Sequence, residues 1–263
     1  MSTNDPFGFL AGDYRTPERK LKWRHKTFPT SSFYRLMLKE VFAAARAGKR
    51  DELSYEQYCQ HAIGIFRAME AVGGRAQITG YDQVPADGWP YVFVANHMSV
   101  LETFIFAAIF DTKGKHMFVV KKDLFEYPVF KHVMRAIDPV VVGRENPRDD
   151  LTEVLRKGAE KIAAGFSMVI FPQKTRALRF EPSQFNTIGI KLARRSNVPI
   201  VPVALKTDFW GQGKRLKDFG GIFPEKTVHF HFGAPISIKG KGQEEHEQII
   251  KFIGEHYSAW ENE

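Results

Sequence analysis

Residues 91–102 read Tyr-Val-Phe-Val-Ala-Asn-His-Met-Ser-Val-Leu-Glu. The run opens with apolar residues of strand type, breaks at Asn96-His97, and resumes with residues that suit a helix. A histidine at the end of a buried strand, with a carboxylate five positions later, is a candidate general base with a group that orients it. Residues five apart do not face each other on a continuous helix. The two side chains can therefore meet only if His97 lies in the turn before the helix and Glu102 lies in its first turn.

The same spacing also has a purely structural interpretation. Ser99-Val100-Leu101-Glu102 matches a capping box, in which the glutamate returns to the backbone N–H of Ser99 at the start of the helix. A carboxylate has two oxygens, so capping and the orientation of His97 can coexist. Spacing alone leaves both interpretations open.

Strand-type and helix-type segments alternate from residue 75 onward. Short runs rich in β-forming residues occur at 75–80, 90–95, 115–120, 139–142, 167–171, 199–205 and 227–233. Helical patterns fill gaps at 100–110, about 128–136, 148–164, 186–196 and 243–260. This alternation predicts an α/β fold with a mostly parallel central sheet flanked by helices.

A pair of amphipathic helices is expected before this core. Gly48 ends the first, and Ser54, with Gln57 at the capping-box position, begins the second. Glycine and proline interrupt the first 30 residues, so no regular structure is expected there. The predicted organisation is a basic, irregular arm (1–30) followed by one domain (31–263), which comprises the helical pair (31–74), the α/β core (75–240) and a C-terminal helix (241–263).

Four of the predicted strands end in polar or charged residues. These are His97, Lys121 with Lys122, Arg144, and the segment from Gln173 to Arg176. Sites in open α/β sheets lie beyond the carboxyl ends of the strands. We therefore expect these residues to gather at one edge of the sheet and to form the functional site.

Positive charge is concentrated near the N-terminus. The 263-residue chain has a formal net charge of +8, and residues 1–50 hold eleven Lys and Arg against four Asp and Glu. The segment from Arg15 to Lys26 carries six of these basic residues and one acid, with Trp23 inside it and Phe28 next to it. Basic residues interleaved with aromatics suit an anionic lipid surface. A solvated flexible arm is the alternative, and nucleic acid is less favoured because no recognition module accompanies the arm.

Membrane contact is expected from the surface of the bilayer. The sequence has no apolar run long enough to span a membrane, and its first 30 residues lack the apolar core of a secretory signal. The single cysteine, Cys59, excludes an internal disulfide and a cysteine-based metal cage, and it fits a reducing compartment. We therefore expect a peripheral protein on the cytoplasmic face of a membrane.

Several other chemistries lack their sequence motifs. The chain has no G-x-S-x-G nucleophile elbow, which argues against a serine hydrolase of that type. Residues 211–214, Gly-Gln-Gly-Lys, do not complete a P-loop. His229 and His231 would share one face of a strand with no carboxylate cluster nearby, so we expect sheet residues there and no metal site.

Four blocks, taken in order, resemble those of the lysophospholipid acyltransferase family, whose best-known members are the 1-acylglycerol-3-phosphate acyltransferases. Together the blocks cover roughly residues 75–240. They are Asn96 to Glu102, similar to the family's NHxxxxD; Val142-Gly143-Arg144, similar to a block built around an arginine; Phe171 to Arg176, similar to FPEGTR; and Val198 to Ala204, similar to a proline-containing apolar block. Each block alone is weak, whereas the ordered set is specific.

The resemblance implies transfer of a fatty acyl group to the hydroxyl of a lysophospholipid, with 1-acylglycerol-3-phosphate as the expected acceptor. The donor would be a thioester of coenzyme A or acyl carrier protein, with no further cofactor. His97 would be the general base and Glu102 its orienting carboxylate. The acceptor phosphate would bind cations near the third block, since guanidinium groups match phosphate oxygens. The expected substrate-binding residues are Lys121, Arg144, Gln173, Lys174, Thr175 and Arg176.

The chain departs from the family pattern at three positions. Glu102 stands where the family usually has aspartate, and its extra methylene moves the carboxylate by one C–C bond. Gln173 and Lys174 replace the glutamate and glycine of FPEGTR, which makes the loop more positive by two charges. Two alternatives remain open: transfer to a different lysolipid or an amino-acid lipid, and a lipid-binding relative that has lost catalysis.

Overall fold

One mixed sheet forms the centre of the molecule. A computed structural model describes residues 5–143, 145–173, 175–213 and 217–261. Within these residues, eight strands join into a single sheet. They are β1 (Tyr14–Arg15), β2 (Ala76–Thr79), β3 (Val92–Ala95), β4 (His116–Lys121), β5 (Val140–Val142), β6 (Ser167–Ile170), β7 (Ile200–Lys206) and β8 (Val228–Phe232).

Strand β3 lies in the interior of this sheet, whose order is β1-β2-β8-β7-β3-β6-β4-β5. It runs parallel to both neighbours, with Val92 opposite Met168 of β6 and Ile200 of β7. The pairs β4–β6, β4–β5 and β2–β8 are also parallel, whereas β1–β2 and β7–β8 are antiparallel. The predicted α/β class with a mostly parallel sheet is confirmed. Because β3 and β6 are adjacent and parallel, their carboxyl ends lie side by side.

Helices pack on both faces of the sheet. In the described part of the chain they are α1 (Trp23–Thr27), α2 (Pro29–Lys49), α3 (Tyr55–Ala71), α4 (Leu101–Phe110), α5 (Phe130–Ile137), α6 (Pro147–Ala163), α7 (Ile188–Ser196) and α8 (Gln243–Glu261). The expected capping box of α3 is confirmed, because Ser54 Oγ accepts from the N–H of Gln57 at 3.2 Å and the Gln57 side chain accepts from the N–H of Ser54 at 2.9 Å. None of the helices in these described residues has the length and apolar character needed to cross a bilayer.

Alternate residues of β3 face two separate cores. Phe93 and Ala95 pack with residues of α4 such as Phe106 in a large aromatic core. Val92 and Val94 face a mostly aliphatic core built from β6, β7, α6, α7 and α8. All four β3 residues are at most 3% exposed, and burial of each large apolar side chain contributes roughly 1.5–3 kcal/mol. The strand is thereby held from both faces, which fixes the position of the Asn96-His97 turn that follows it.

The N-terminal segment is more ordered than its composition suggests. Tyr14 pairs with Ile78 of β2, and Trp23–Thr27 forms a short helix. Phe9 is 1% exposed and belongs to the aromatic core. The prediction of an irregular arm over residues 1–30 is therefore wrong for residues 14–15, 23–27 and 29–30, where β1, α1 and the start of α2 lie. Glycine and proline do interrupt the period here, but burial of the apolar side chains between them stabilises a defined path.

A buried carboxylate further anchors this N-terminal segment. Glu70 of α3 is 1% exposed and accepts hydrogen bonds from the hydroxyl groups of Tyr14 and Thr16. Arg19 forms an ion pair with the same carboxylate at 3.0 Å. A buried charge without partners is costly, so these contacts tie the start of the chain to the core.

Candidate active site

His97 and Glu102 are in direct contact. Nδ1 of His97 lies 2.8 Å from Oε1 of Glu102. His97 occupies the turn between β3 and α4, and Glu102 lies in the first turn of α4, as the spacing requires. The histidine side chain is 19% exposed, whereas the glutamate side chain is fully buried. The carboxylate is therefore held inside the protein while the imidazole reaches the surface.

Glu102 also returns to the backbone N–H of Ser99, as the glutamate of a capping box does, but the N-cap of α4 is Val100, so the expected box with Ser99 as N-cap is only half formed. Its carboxylate accepts from the backbone N–H of Met98 at 2.7 Å and of Ser99 at 2.9 Å. The hydroxyl of Ser99 accepts from the N–H of Leu101 at 3.1 Å. One oxygen, Oε1, receives both the imidazole and backbone donors, so capping and orientation share the same carboxylate.

Thr207 completes the surroundings of the carboxylate. This residue directly follows β7, is fully buried, and donates from Oγ1 to Oε2 of Glu102 at 2.6 Å. Ser99 Oγ lies 2.9 Å from both Glu102 Oε2 and Thr207 Oγ1, so its single hydroxyl proton serves one of them. Sequence analysis missed Thr207, although a polar residue at the end of a parallel strand was the signal used elsewhere in the chain.

The protonation of Glu102 follows from these contacts. Complete burial by itself would raise its pKa. The hydrogen bond and charge of His97, with the hydrogen bonds from Thr207 and the N–H of Met98, outweigh burial and hold the pKa of Glu102 below its usual value. The residue is therefore a carboxylate at neutral pH, able to stabilise positive charge on the ring.

The orientation of the His97 ring is fixed on two sides. Because Nδ1 is bonded to the carboxylate, the neutral ring carries its proton on Nδ1 and presents the lone pair of Nε2. One face of the ring stacks on Phe171, with centroids 4.2 Å apart and planes 17° from parallel. Phe171 directly follows β6, the neighbour of β3. A histidine held in this way can accept a proton at Nε2.

Asn96 fixes the backbone just before the histidine. Its Nδ2 donates to the carbonyl of Leu205 at 2.7 Å, and its Oδ1 accepts from the N–H of the same residue at 2.9 Å. The side chain thus imitates a strand residue and extends the β3–β7 pairing by one step. Its role in the Asn-His pair is to place the turn.

The loop after β6 holds the backbone of His97. Gln173 is 4% exposed, and its Oε1 accepts from the N–H of His97 at 2.7 Å. The carbonyl of His97 accepts from the N–H of Ala177 at 2.9 Å. The expected contact of Gln173 with substrate stays a prediction; in the structure its carbonyl oxygen holds the turn that carries His97. A glutamine can replace a glutamate at this position because both provide an acceptor oxygen there.

Arg176 lies next to this turn, one residue before Ala177. Its guanidinium forms an ion pair with Asp218, and its side chain is 24% exposed. Both residues line a narrow crevice with Ser99 and Val100 at the start of α4. Thr175 is exposed on the same loop. The described residues of the third sequence block therefore lie beside His97, as expected.

The remaining expected ligands are more distant or lie outside the described residues. Lys121 is exposed at the end of β4, and β6 separates that strand from β3. Its contribution to phosphate binding stays a prediction. Arg144 and Lys174 are both expected ligands, and both lie outside the described residues.

The two strand histidines face helix α8. The ring of His229 stacks on Trp260 at 4.9 Å, and the ring of His231 stacks on His256 at 4.1 Å. Both are sheet residues of β8, as expected. Among the residues that the structure describes, no group of three or more His, Cys, Asp or Glu side chains could hold a metal ion.

Comparison with known proteins adds three findings. A family model described as acyltransferase matches residues 75–206, which is half of the chain. The 1-acyl-sn-glycerol-3-phosphate acyltransferase of Pseudomonas aeruginosa is 24% identical over 209 residues, covering 79% of this chain and 75% of that protein. The chloroplastic 1-acyl-sn-glycerol-3-phosphate acyltransferase BAT2 of Brassica napus is 27% identical over 131 residues, 50% of this chain but only 37% of that protein.

The fold is also shared with a solved structure. The 1-acyl-sn-glycerophosphate (LPA) acyltransferase PlsC of Thermotoga maritima superposes with a TM-score of 0.68 at 18% sequence identity. The match covers 90% of this chain and 97% of that one. At this identity the comparison concerns the arrangement of strands and helices.

Proposed function

Because the chain belongs to the acyltransferase family, we propose that it moves a fatty acyl group from an acyl thioester to the free hydroxyl of a lysophospholipid, with 1-acylglycerol-3-phosphate as acceptor. The contact that carries the proposal is the 2.8 Å pair between His97 Nδ1 and the buried Glu102 carboxylate. The names of the relatives from Pseudomonas aeruginosa and Brassica napus support the same acceptor.

His97 acts as the general base in this mechanism. Nε2 takes the proton of the acceptor hydroxyl as its oxygen attacks the thioester carbonyl carbon. The tetrahedral intermediate collapses, the C–S bond breaks, and the proton on Nε2 passes to the leaving sulfur as the new ester forms. Glu102 stabilises the imidazolium between these two transfers, and its pKa below the usual value suits that role. No covalent acyl-enzyme is needed.

The acceptor phosphate binds beside the turn that carries His97. Arg176 is the principal ligand in this proposal, because the next residue, Ala177, hydrogen-bonds to the carbonyl of His97 and a guanidinium matches phosphate oxygens. Thr175, Lys121, Arg144 and Lys174 are proposed as further contacts. The donor is a thioester of coenzyme A or acyl carrier protein, and no other cofactor enters the reaction.

The chain is proposed to work on the surface of an anionic membrane, on its cytoplasmic face. Trp23 is 75% exposed, Phe28 57% and Phe42 52%, all on or beside α1 and α2. The same segment carries exposed lysines and arginines. They are Lys20, Lys22, Arg24, Lys26, Arg35, Lys39, Arg46 and Lys49. Exposed aromatics and basic residues on the same helices suit peripheral binding to anionic lipid.

A panel assay tests the reaction and its acceptor. Purified protein would be incubated with acyl-coenzyme A or acyl-acyl carrier protein and with lysolipids of several headgroups, and the products identified by mass spectrometry. Phosphatidate from 1-acylglycerol-3-phosphate is the expected product. If only a different lysolipid is acylated, the proposed reaction stands and the proposed acceptor is wrong. Binding to lysolipid vesicles without any acylated product would favour a lipid-binding relative without catalysis.

A further inference from the structure

The guanidinium of Arg176 is already paired with a carboxylate of this chain. Asp218 forms that ion pair across the crevice, and the two side chains are 24% and 46% exposed. The crevice opens beside Ser99 and Val100, so the pair lies close to the turn of His97. An anion that approaches Arg176 therefore meets the Asp218 carboxylate already bound to it, while Lys217 lines the same crevice as a second cation.

Described residues on either side of Asp218 hold its backbone in place. The backbone carbonyl of Asp218 accepts from the indole N–H of Trp210 at 3.1 Å. The N–H of Gly211 donates to the carbonyl of Gly221 at 2.9 Å. The ring of Phe219 stacks on Tyr34 of α2 at 5.6 Å. These contacts position the backbone independently of the Asp218 carboxylate, so the carboxylate is available for a role other than folding.

The negative charge of Asp218 affects the pKa of the neighbouring Tyr34. Burial raises the pKa of Tyr34 to about 12, and the charge of Asp218 adds to this rise. The ion pair itself is partly solvated, and pairs of this kind contribute little to folding because water screens them. The stability of the fold therefore does little to explain why a carboxylate stands at this position.

We propose that Asp218 occupies Arg176 in place of the acceptor's phosphate and must be displaced before an anionic headgroup binds. Asp218 is thus a specificity-determining residue. A phosphate group carries more negative charge than a carboxylate and displaces Asp218 from Arg176. A neutral headgroup has no anionic group to compete for Arg176, so the ion pair stays intact. This inference rests on the proposed function, since it takes a phosphate-bearing acceptor as the competitor.

Binding of sn-glycerol 3-phosphate tests the inference without requiring turnover. An NMR titration would compare wild type with Asp218→Asn and Asp218→Ala. Removal of the carboxylate should tighten binding by up to about fivefold, the upper limit set by a partly exposed ion pair of about 1 kcal/mol. Asp138→Asn is the matched control: Asp138, the C-cap of α5, pairs with Lys161 of α6, neither residue lines the crevice, and the substitution should leave binding unchanged.

Arg176→Ala separates the possible results. If Arg176→Ala abolishes the gain from Asp218→Asn in the double variant, the two residues act through each other as proposed. Unchanged or weaker binding in both Asp218 variants would overturn the inference and would identify Asp218 as a residue that positions Arg176. Failure of wild type to acylate lysophosphatidate, with tighter phosphate binding by the variants, would reject the proposed function and leave this competition intact.

Discussion

Thr207 donates a 2.6 Å hydrogen bond to Oε2 of Glu102, the oxygen that His97 does not use. The two donors therefore hold the carboxylate from opposite sides. Thr207 comes from the end of β7 and His97 from the end of β3, which are adjacent parallel strands. The sheet itself thus sets the orientation of the carboxylate.

Thr207→Val should lower kcat by up to about a hundredfold, because it releases one oxygen of the carboxylate that orients His97, and misplacing a catalytic group can cost roughly that much. Thr207→Ser should restore most of the rate. Thr112→Val is the control, since Thr112 is also buried and donates to a carbonyl at the far end of α4. Both valine variants should lose stability in a thermal melt, and only Thr207→Val should lose kcat. Equal rates for the two variants would show that Thr207 is merely structural.

Gln173→Glu should shift the pH dependence of the reaction. In the wild type the N–H of His97 lies 2.7 Å from Oε1 of Gln173. The substitution keeps an acceptor at this place and adds a negative charge near the imidazole. A nearby negative charge favours the protonated ring, so the acid limb of kcat/KM should move to higher pH. Gln243→Glu, at the exposed start of α8, adds the same charge far from the site and should leave the profile unchanged.

Gln173→Met separates positioning from charge. Without an acceptor for the His97 N–H, kcat should fall while the midpoint of the acid limb stays in place. If Gln173→Glu leaves the pH profile of wild type unchanged, the loop after β6 does not influence His97 through this residue.

Membrane binding should depend on the basic face of α1. Lys22→Glu with Lys26→Glu reverses two exposed charges beside Trp23. Partition onto anionic vesicles should fall by roughly one to two orders of magnitude, since each basic residue near such a surface contributes about 1 kcal/mol. Added salt should weaken wild-type binding in the same direction.

Arg194→Glu with Arg195→Glu provides the matched control for this test. It reverses two exposed charges on α7, which packs on the other face of the sheet. Equal partition of the two double variants would place the membrane contact elsewhere. Point substitutions are preferable to deletion of the N-terminal segment, because deletion would remove Tyr14 and Thr16 from the buried carboxylate of Glu70.

Stability should fall in mild acid because of His116. This histidine is 1% exposed, and burial lowers its pKa to about 3. Between pH 6.5 and about 3 the unfolded chain binds a proton there and the folded chain does not, so the free energy of unfolding decreases as pH falls by up to about 1.4 kcal/mol per unit.

Chemical denaturation across this pH range measures the effect. His116→Asn keeps an acceptor for the hydroxyl of Tyr55, which lies 2.5 Å from Nδ1, and removes the titrating ring. The dependence of its unfolding free energy on pH should be shallower than that of wild type. Parallel curves would mean that His116 does not contribute to acid sensitivity.

Sequence patterns predict the strands of this fold well, because short apolar runs are set by local composition. The strand containing Val92 and the helix containing Leu101 lie where the hydrophobic pattern of the sequence changes from a strand type to a helix type. The N-terminal segment was predicted less well, since Phe9 and Tyr14 are ordered by a core that only tertiary packing creates. Glycine and proline in that segment mark bends in an ordered chain.

The site shows the same division. The contact between His97 and Glu102 follows from the end of a strand and the first turn of a helix, which are local features. The partner of a buried polar atom depends on which strands are adjacent. Thr207 and the Oε1 of Gln173 could therefore be assigned only with the order β7-β3-β6 known.

The central claim is that His97 is the base that activates the acceptor. His97→Ala and His61→Ala would be compared with wild type in turnover of acyl thioester and lysophosphatidate. His61 is a matched control, because its Nδ1 also lies against a glutamate, Glu40, at 2.9 Å, but between α2 and α3. Loss of a general base predicts a fall in kcat of about 10²–10⁴-fold for His97→Ala and near wild-type rates for His61→Ala. A His97→Ala enzyme as active as the His61→Ala enzyme would contradict the account.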